Sequence, residues 1–424
     1  MDKSTGTKKP GTKKPRSREQ AASSIDAVSI EFVLKLGRAL HTYGTPAHRL
    51  EEALGQLSAR LGLEAQFFST PTSIMAAFGA LGHQQTSLIR VEPGEVDLGK
   101  MARLDEVTGQ VIRGELVPSK GLRRIDEIVA DRPLYNNVVG VIGYAVASGA
   151  ASTFFGGQAR EMAVSVVIGA LIGILSQAAL RWATLKRVFV AVSALMSSLI
   201  AVLAGAVVAP LSVYVPTVAG LIILLPGLTL TVAMTELATL NLVSGASRLT
   251  HALIIFLQMA FGVAVGLHLG ELAVGVVQNQ AATPLPFWSQ WIALVVASVA
   301  FGVLFRARPR DMGWMLLSAA LAFGGARLGT LWLGVELGAF VGALLVGMAS
   351  NVYARVFDRP SAMLMVPGIV MLVPGSIGFR SVSYLLERDV VTGIETAFTM
   401  TLVAAALVAG LLLSNLIVPP RKAL

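Results

Sequence analysis

The chain has 424 residues, of which 54% are hydrophobic and only 14% are charged, whereas an ordinary soluble domain has about 25% charged residues. This composition excludes a protein that is soluble throughout, and the absence of cysteine excludes disulfides, cysteine-ligated zinc and thiol catalysis. The net charge is +9, but residues 1–24 hold seven basic and two acidic side chains and so carry +5 of it, which leaves no basic face suited to nucleic acid.

Residues 1–24 form a basic tail with a repeated T-K-K-P sequence. Such a polar, low-complexity segment cannot bury apolar surface, so we expect it to be disordered. No apolar stretch follows within the first 30 residues, and this start is therefore unlike a secretory signal peptide.

Residues 25–132 are predicted to form a small cytosolic α+β domain. Eleven basic and thirteen acidic residues lie between residues 25 and 130, which is the charge density of a soluble protein. Thr45 and Pro46 are predicted to be the N-cap and the first-turn proline of its second helix. Periodicity predicts the order ααββαα, with helices over 26–42 and 47–61, β-rich stretches over 65–78 and 86–91, and helices over 97–115 and 119–130.

Residues 133–424 have the composition of a membrane domain, since these 292 residues carry only 24 charged side chains. A helix needs about 20 apolar residues to cross about 30 Å of hydrocarbon. Ten segments qualify, starting near residues 137, 162, 189, 213, 250, 287, 312, 331, 362 and 392. The predicted fold class is an all-α polytopic membrane domain of about ten transmembrane helices, joined to the small α+β cytosolic N-terminal domain.

The basic residues of the loops predict the orientation. With the soluble domain in the cytoplasm, the inner loops and the C-terminus hold eleven Lys and Arg residues, and the outer loops hold four. Short cytoplasmic loops carry such an excess, so both termini are expected in the cytoplasm. An error of one span would remove the bias, and the pattern therefore also supports ten spans.

The membrane part divides into two similar halves, 133–280 and 281–424. The sequence L-P-G at 225–227 matches V-P-G at 373–375, which lies 148 residues later. Five spans per half is an odd number, so the second half enters the bilayer inverted, as in the 5+5 inverted repeat of many secondary transporters.

Three Pro-Gly pairs are expected to interrupt helices at membrane depth: Pro226-Gly227, Pro367-Gly368 and Pro374-Gly375. Proline removes a backbone donor and clashes with the preceding turn, and the freed groups must then meet protein, water or ligand. Matching interruptions in two halves indicate a substrate site. The alternative is that each pair only kinks a packed helix.

Several blocks of sequence carry a family resemblance. These are HTYGTPAHRLEE (41–52), FFSTPTSI (67–74), RVEPG (90–94) with Asp97-Leu98, LLPGLTLTVAMTELA (224–238) with Asn241 and SGASR (244–248), and LVPGS (372–376). In that order they resemble the threonine/serine exporter family, over about residues 26–418. The resemblance implies export of threonine and serine across the inner membrane of a bacterium, driven by the proton-motive force without another cofactor. Some relatives divide the halves between two chains and resemble dicarboxylate exporters, so export of succinate-like substrates stays open.

Two acidic residues inside the predicted spans, Glu236 and Glu336, are candidates to bind and release the coupling proton. A carboxylate at the bilayer centre costs about 2.5–3.5 kcal/mol on insertion scales, which makes it a functional candidate by default. The alternative for each is a buried structural hydrogen bond. Glu161 and Glu271 lie at span ends, where a helix-starting or interfacial role is favoured.

Arg248 and Arg380 each follow a Pro-Gly element and are candidates to hold a substrate carboxylate with two parallel hydrogen bonds; Arg248 could instead be a positive-inside anchor. Asn241, Ser244 and Ser376 offer polar contacts to a hydroxylated side chain, or simply pack. The predicted substrate and proton site comprises Pro226, Gly227, Thr231, Thr235, Glu236, Asn241, Arg248, Glu336, Pro374, Gly375, Ser376 and Arg380.

The soluble domain offers weaker signals. Residues 94–101 approach a phosphate loop, but Met101 stands where the magnesium-binding Ser or Thr would be, so ATP binding is rejected. His41 and His48 have no further ligand near them in the sequence, and a zinc site is not expected. Thr45, His48, Arg49 and Glu52 fall on one helix face that either regulates the pore or is merely solvated.

The most economical interpretation is a secondary exporter of small amino acids that acts by proton antiport. The alternatives are a dicarboxylate exporter and a membrane sensor. The sequence contains neither an H-E-x-x-H nor a G-x-S-x-G motif, so an enzyme is not predicted. The expected partners are threonine or serine and the lipid bilayer, with a homo-oligomer open and nucleic acid excluded.

Overall fold

The computed structural model describes residues 16–208, 210–276, 285–386 and 389–420, with side chains from residue 27 onward except those of residues 335, 336 and 386. The chain is a polytopic helical membrane protein with a small α+β region. The first 15 residues of the predicted tail lie outside the described part. Helix α1 begins at Arg16, ten residues before the predicted start.

The soluble domain contains three strands rather than two. The first β-rich stretch folds into a hairpin in which Thr70 pairs with Ser73 across a turn at residues 71 and 72, where Pro71 and Thr72 interrupt the strand. The elements are α1 (Arg16–Thr42), α2 (Ala47–Arg60), β1 (Ala65–Thr70), β2 (Ser73–Phe78), β3 (Gln85–Arg90), α3 (Leu98–Ile112) and α4 (Pro118–Ala130). The sheet is antiparallel in the order β1-β2-β3.

The core of the soluble domain is built in part by α1 and α2 and continues into the membrane part. Phe32, Leu36, Leu50 and Leu54 of α1 and α2 are fully buried. The same cluster of side chains includes Tyr353 and other residues from the ends of membrane helices. Because burial of apolar area is the main stabilising term in folding, this shared core holds the two parts together.

The ten predicted spans each correspond to a helical segment. The elements are α5 (Asn137–Phe154), α6 (Ala159–Arg181), α7 (Ala183–Val207), α8 (Tyr214–Gly220), α9 (Gly227–Ala238), α10 (Leu242–Val274), α11 (Trp288–Leu304), α12 (Met312–Leu333), α13 (Val335–Phe357), α14 (Ala362–Leu372), α15 (Gly375–Leu386) and α16 (Val390–Ile417). Among the described residues, eight helical segments are long and apolar enough to cross a membrane, with α14 and α15 taken as one, while α9 and α11 are shorter. The fourth span is divided into α8 and α9, and the ninth into α14 and α15.

Equivalent helices of the two halves pack in equivalent pairs. Helix α7 packs on α10 as α13 packs on α16, and α6 packs on α8 as α12 packs on α14. The second parts of the broken helices contact the opposite half, since α9 packs on α16 and α15 on α10. Glycines permit the closest of these contacts: a Cβ on Gly266 would lie 2.3 Å from the Leu195 carbonyl oxygen of α7, a use of small residues common between membrane helices.

The soluble domain contacts the helix ends that the loop charges assign to one side. The backbone N–H of Leu98 donates to the Phe305 carbonyl at 2.9 Å, and the Tyr135 hydroxyl donates to the Ala307 carbonyl at 2.8 Å. Arg306 pairs with Glu95 at 2.6 Å. Residues 305–307 therefore lie on the side of the soluble domain, as predicted.

One predicted interruption is wrong. Pro367 lies inside α14, which continues past it to Leu372. The Ser318 hydroxyl of α12 donates to the carbonyl of Leu364, one turn before the proline, and Gly368 lets α12 approach, since a Cβ there would lie 2.5 Å from the Ser318 Oγ. The carbonyl that Pro367 deprives of its intrahelical donor is that of Met363, and the adjacent turn is held by packing on α12, so the helix continues past the proline.

Candidate functional site

The two remaining Pro-Gly interruptions meet at one point, here called the crossing and made of residues 225–227 and 373–375. A Cβ placed on Gly227 would lie 1.8 Å from the Cγ1 of Val373. A Cβ placed on Gly375 would lie 3.2 Å from the Cβ of Leu225 and 3.4 Å from the Cα of Gly227. The two matching Pro-Gly motifs of the sequence are thus in direct contact, one from each half.

Two helices begin at the crossing. The first intrahelical hydrogen bond of α9 runs from the N–H of Leu230 to the Pro226 carbonyl, and the N–H of Gly378 donates to the Pro374 carbonyl in α15. The N–H groups before them have no acceptor within their own helix, and the macrodipole adds positive potential at both N-termini. Ser376 lies in the first turn of α15.

A cavity of about 230 Å³ lies between the crossing and the soluble domain. Its walls come from α2, α9, α14 and α16, with Leu228 and Ile369 among its apolar lining. Its polar lining consists of Thr45, His48, Arg49, Glu52, Gln56, Asp105, Thr231, Thr235, Thr239, Ser361 and Asn415. The cavity has the size and the mixed lining of a site for a small polar molecule.

Three polar atoms on this lining are buried without a hydrogen-bond partner in the described part of the chain. They are the hydroxyls of Thr45 and Thr231 and the Nδ1 of His48. Nearly all buried polar groups in proteins have a partner, so three such atoms at one cavity require an explanation. Thr235 differs, because its hydroxyl donates to the Thr231 carbonyl at 2.8 Å.

Glu236 is fully buried and lies in a network of hydrogen bonds with α10. Ser244 donates to its Oε2 at 2.7 Å, and the Nε of Arg248 donates to Oε2 at 3.1 Å and to Oε1 at 3.2 Å. The tight link between α9 and α10 brings these groups together: Leu240 takes a φ of 63°, and the N–H of Asn241 donates to the Glu236 carbonyl at 2.8 Å.

The third partner of Glu236 belongs to the soluble domain. The backbone N–H of Ala47 donates to Oε1 of Glu236 at 2.9 Å. Helix α2 begins at Ala47 with Pro46 as its N-cap residue, so the prediction that Thr45 caps this helix is wrong. An N-cap normally uses a local side-chain oxygen, and here a carboxylate of a membrane helix takes that role and complements the helix dipole.

The structure divides the predicted arginine pair. Arg248 is engaged by Glu236, and its side chain is 18% exposed. Arg380 lies on α15, exposed, and its Nε donates to the Tyr214 hydroxyl at 3.1 Å. Neither arginine lines the cavity, so the predicted two-pronged contact with a substrate is not available there in this conformation.

The remaining predicted site residues fall into three groups. Pro226, Gly227, Pro374 and Gly375 form the crossing, and Thr231 and Thr235 line the cavity. Asn241 is turned to its own link, where its Nδ2 donates to the Thr239 carbonyl at 3.2 Å. The side chain of Glu336 lies outside the described part of the structure. The proton and substrate roles of all these residues stay predictions.

Burial determines the charge state of His41 and His48 in the soluble domain. Burial lowers the pKa of His48 to about 4, with Arg49 and Arg248 acting in the same direction. Burial also lowers the pKa of His41, whose Nε2 donates to the Thr70 carbonyl at 2.7 Å. Both imidazoles are therefore neutral at physiological pH, and the described residues contain no group of three or more potential metal ligands.

The glycine-rich segment at residues 94–101 is structural. Asp97 accepts a hydrogen bond from the N–H of Lys100 at 2.8 Å and so caps α3. Lys100 donates to the Val129 carbonyl at 2.9 Å, and a Cβ on Gly99 would lie 2.7 Å from the Arg306 carbonyl oxygen. The segment therefore packs against the membrane part.

Thr45, His48, Arg49 and Glu52, which are predicted to share one face that is either regulatory or solvated, line the cavity. The sequence does not predict five other polar lining residues, because single polar residues carry no distinguishing pattern: Gln56, Asp105, Thr239, Ser361 and Asn415.

Comparison with known families matches nearly the whole chain. Residues 31–270 match a family described as "Putative threonine/serine exporter", and residues 290–417 match one described as "Threonine/Serine exporter, ThrE". No solved structure matches the chain.

Curated relatives are found in yeasts. The pheromone-regulated membrane protein 10 of Eremothecium gossypii is 26% identical over 419 residues, which is 92% of this chain and 56% of that protein. Its counterpart in Saccharomyces cerevisiae is 26% identical over 385 residues, covering 87% of this chain and 48% of that protein. The counterpart in Candida albicans is 27% identical, and the match covers 87% of this chain and 34% of that protein. The chain thus spans between about a third and a little over half of these relatives. On the family matches, the chain belongs to the threonine/serine exporter family.

Proposed function

We propose that this protein is a secondary active exporter of threonine and serine in the inner membrane of a bacterium, driven by proton antiport, with the soluble domain and both termini in the cytoplasm. The observation that carries the proposal is the crossing of two broken helices beside a cavity with a mixed apolar and polar lining. In secondary transporters, paired broken helices at a repeat interface form the substrate site.

The conformation fits a carrier that is open toward the soluble domain. The cavity lies on that side of the crossing, where α2 forms part of its wall. At the crossing itself Val373 packs directly against Gly227, and the Arg380 and Tyr214 side chains are hydrogen-bonded to each other across α15 and α8. Alternating access then requires α9 and α15 to separate at the crossing so that the cavity opens to the opposite side.

The charges of the cavity favour a zwitterion over a dicarboxylate. Arg49 supplies a cation, while Glu52 and Asp105 supply carboxylates in the same lining. A dicarboxylate would bring two negative charges to a wall that already carries two, and like charges repel in a cavity of low dielectric constant. A small amino acid presents one charge of each sign.

The coupling proton is assigned to Glu236, with Glu336 as the second candidate. Ser244, Arg248 and the N–H of Ala47 all donate to the oxygens of Glu236, so a proton on this carboxylate would replace one of these donors. Replacement of the Ala47 N–H would accompany separation of α2 from α9. This order links the proton to the movement that uncovers the cavity.

Transport in reconstituted vesicles tests the proposal. Uptake of labelled threonine into inverted vesicles should rise when an inward-acidic proton gradient is imposed and collapse with a protonophore. Unlabelled serine should compete and succinate should not. Competition by succinate alone would replace the substrate with a dicarboxylate, and threonine binding without net flux would indicate a sensor.

A further inference from the structure

One wall of the cavity is supplied by the soluble domain. Thr45 precedes α2, and His48, Arg49, Glu52 and Gln56 follow along it, all on the cavity lining. They oppose residues of α9, α14 and α16. A domain that only regulated transport from a distance would not need to place this set of polar groups on the same cavity as the broken helix.

Two hydroxyls at this cavity are deeply buried and unsatisfied. Thr45 is 8% exposed and Thr231 is 1% exposed, and neither hydroxyl has a hydrogen-bond partner in the described part of the chain. The Nδ1 of His48 is buried and unpartnered as well. A ligand that occupied the cavity could satisfy all three, which explains why the fold tolerates groups that are otherwise costly to bury.

Arg49 adds an under-compensated positive charge. Its guanidinium takes part in none of the ion pairs found among the described residues. Burial lowers its pKa, against the opposing effect of the Glu52 charge. A carboxylate in the cavity would meet the planar, two-pronged donor geometry that arginine offers.

Glu52 completes a pair of opposite charges on one face of α2. It lies three residues after Arg49, so the two side chains share a helix face. The Nε2 of Gln56 donates to its Oε1 at 3.1 Å, and no donor to the second oxygen is found among the residues that the structure describes. The face therefore carries an anion receptor and a cation receptor side by side.

Resting on the proposed function, we infer that α2 forms a substrate subsite for a small zwitterionic amino acid, in which Arg49 binds the α-carboxylate and Glu52 receives the ammonium group. Thr231 and Thr45 are then free to bond the hydroxyl of the substrate side chain, and the neutral His48 offers Nδ1 to a donor. The soluble domain is thus part of the binding site, and substrate binding depends on its docking.

Transport kinetics test the subsite. R49Q should raise the KM for threonine about 10-fold or more, since hydrogen bonds to charged groups are worth about that much, with a maximal rate within about threefold of wild type. R49K keeps the positive charge but loses the two-pronged donor geometry of the guanidinium, so its KM for threonine should lie between those of wild type and R49Q. R60Q, at the exposed end of the same helix, is the matched control and should leave KM unchanged. An unchanged KM in R49Q would overturn the inference.

The absence of native cysteine allows a second, independent test. In the Q56C variant, saturating threonine should slow modification by a maleimide several-fold, while in R60C, outside the cavity, it should have no effect. If the wild type exports threonine, but R49Q has an unchanged KM and threonine does not protect Q56C, the proposed subsite is wrong while the proposed export function is still supported. Protection of Q56C in a wild-type background that gives no flux would support the subsite and overturn the exporter.

Discussion

The carboxylate of Glu236, on the broken helix α9, accepts a hydrogen bond from the backbone N–H of Ala47 at 2.9 Å, although the two residues are 189 positions apart. The first turn of the soluble helix α2 is thereby fixed to the membrane helix that carries the crossing. Because Arg248 binds the same carboxylate, one side chain joins α2, α9 and α10. A change in the charge of Glu236 therefore alters contacts of all three helices.

The E236Q variant should lose gradient-driven threonine export while remaining folded. Glutamine keeps the shape and an acceptor oxygen but cannot take up a proton. Export into vesicles with and without a proton gradient provides the measurement, and elution as a single species in detergent checks the fold.

The S244A variant is the matched control for this change. It removes the 2.7 Å hydrogen bond to Oε2 and leaves the carboxylate in place, so coupling should persist. Export by E236Q that still depends on pH would refute the proton assignment.

Arg248→Ala should destabilise the protein more than Glu236→Ala. Removing the arginine leaves a carboxylate with 0% exposure unpaired, whereas removing the glutamate leaves an arginine that is 18% exposed and can reach water. Loss of one partner of a buried pair costs about 3–5 kcal/mol, and the second change should cost less.

Denaturant titration in detergent measures the free energy of unfolding of each single variant and of the double variant. Groups in contact are expected to couple by about 0.5–3 kcal/mol. Additive effects in the double variant would show that the ion pair contributes nothing, and the order E236A worse than R248A would contradict the burial argument.

Gly227→Ala should disrupt the crossing, and Gly375→Ala should be tolerated better. The added methyl at residue 227 would lie 1.8 Å from Cγ1 of Val373, while that at residue 375 finds its nearest neighbour at 3.2 Å. Overpacking of this kind costs about 1–3 kcal/mol. Export rate and melting temperature should both fall in G227A.

A second substitution isolates the cause. V373G in the G227A background removes the clashing side chain and should restore folding, although not necessarily transport. If V373G fails to rescue G227A, the damage comes from the backbone at residue 227 rather than from contact between the two halves.

His48 should make stability depend on pH. Its pKa is lowered from 6.5 to about 4 in the folded protein, so between these values the unfolded chain binds more protons than the folded chain. Stability is complete above pH 6.5 and decreases as the pH falls toward 4, by at most about 3 kcal/mol.

Thermal melting of wild type and H48Q at pH 7.5 and pH 5 measures this effect. Wild type should lose more stability than H48Q over that interval. Equal losses in the two proteins would assign the acid sensitivity to other groups, of which the buried His41, whose pKa is also lowered, is the nearest in kind.

Much of the fold was readable from the sequence because it depends on local composition and period. The apolar segments follow from patterns within about 20 residues, and the paired Pro-Gly elements follow from a match between two short motifs 148 residues apart. The hairpin at residues 65–78 was missed because its turn lies within a continuous β-rich stretch, and Pro367 was misread because a neighbouring serine, invisible in the local sequence, supports that helix.

A helical membrane protein with two related halves can be predicted from the amino-acid sequence, because hydrophobicity and proline position are properties of the linear chain. The contact between the two Pro-Gly steps, the capping of α2 by Glu236 and the cavity shared by Arg49 and Thr231 are visible only in the folded molecule. These contacts join residues 146 to 189 positions apart, and they depend on how helices pack, which no local pattern encodes.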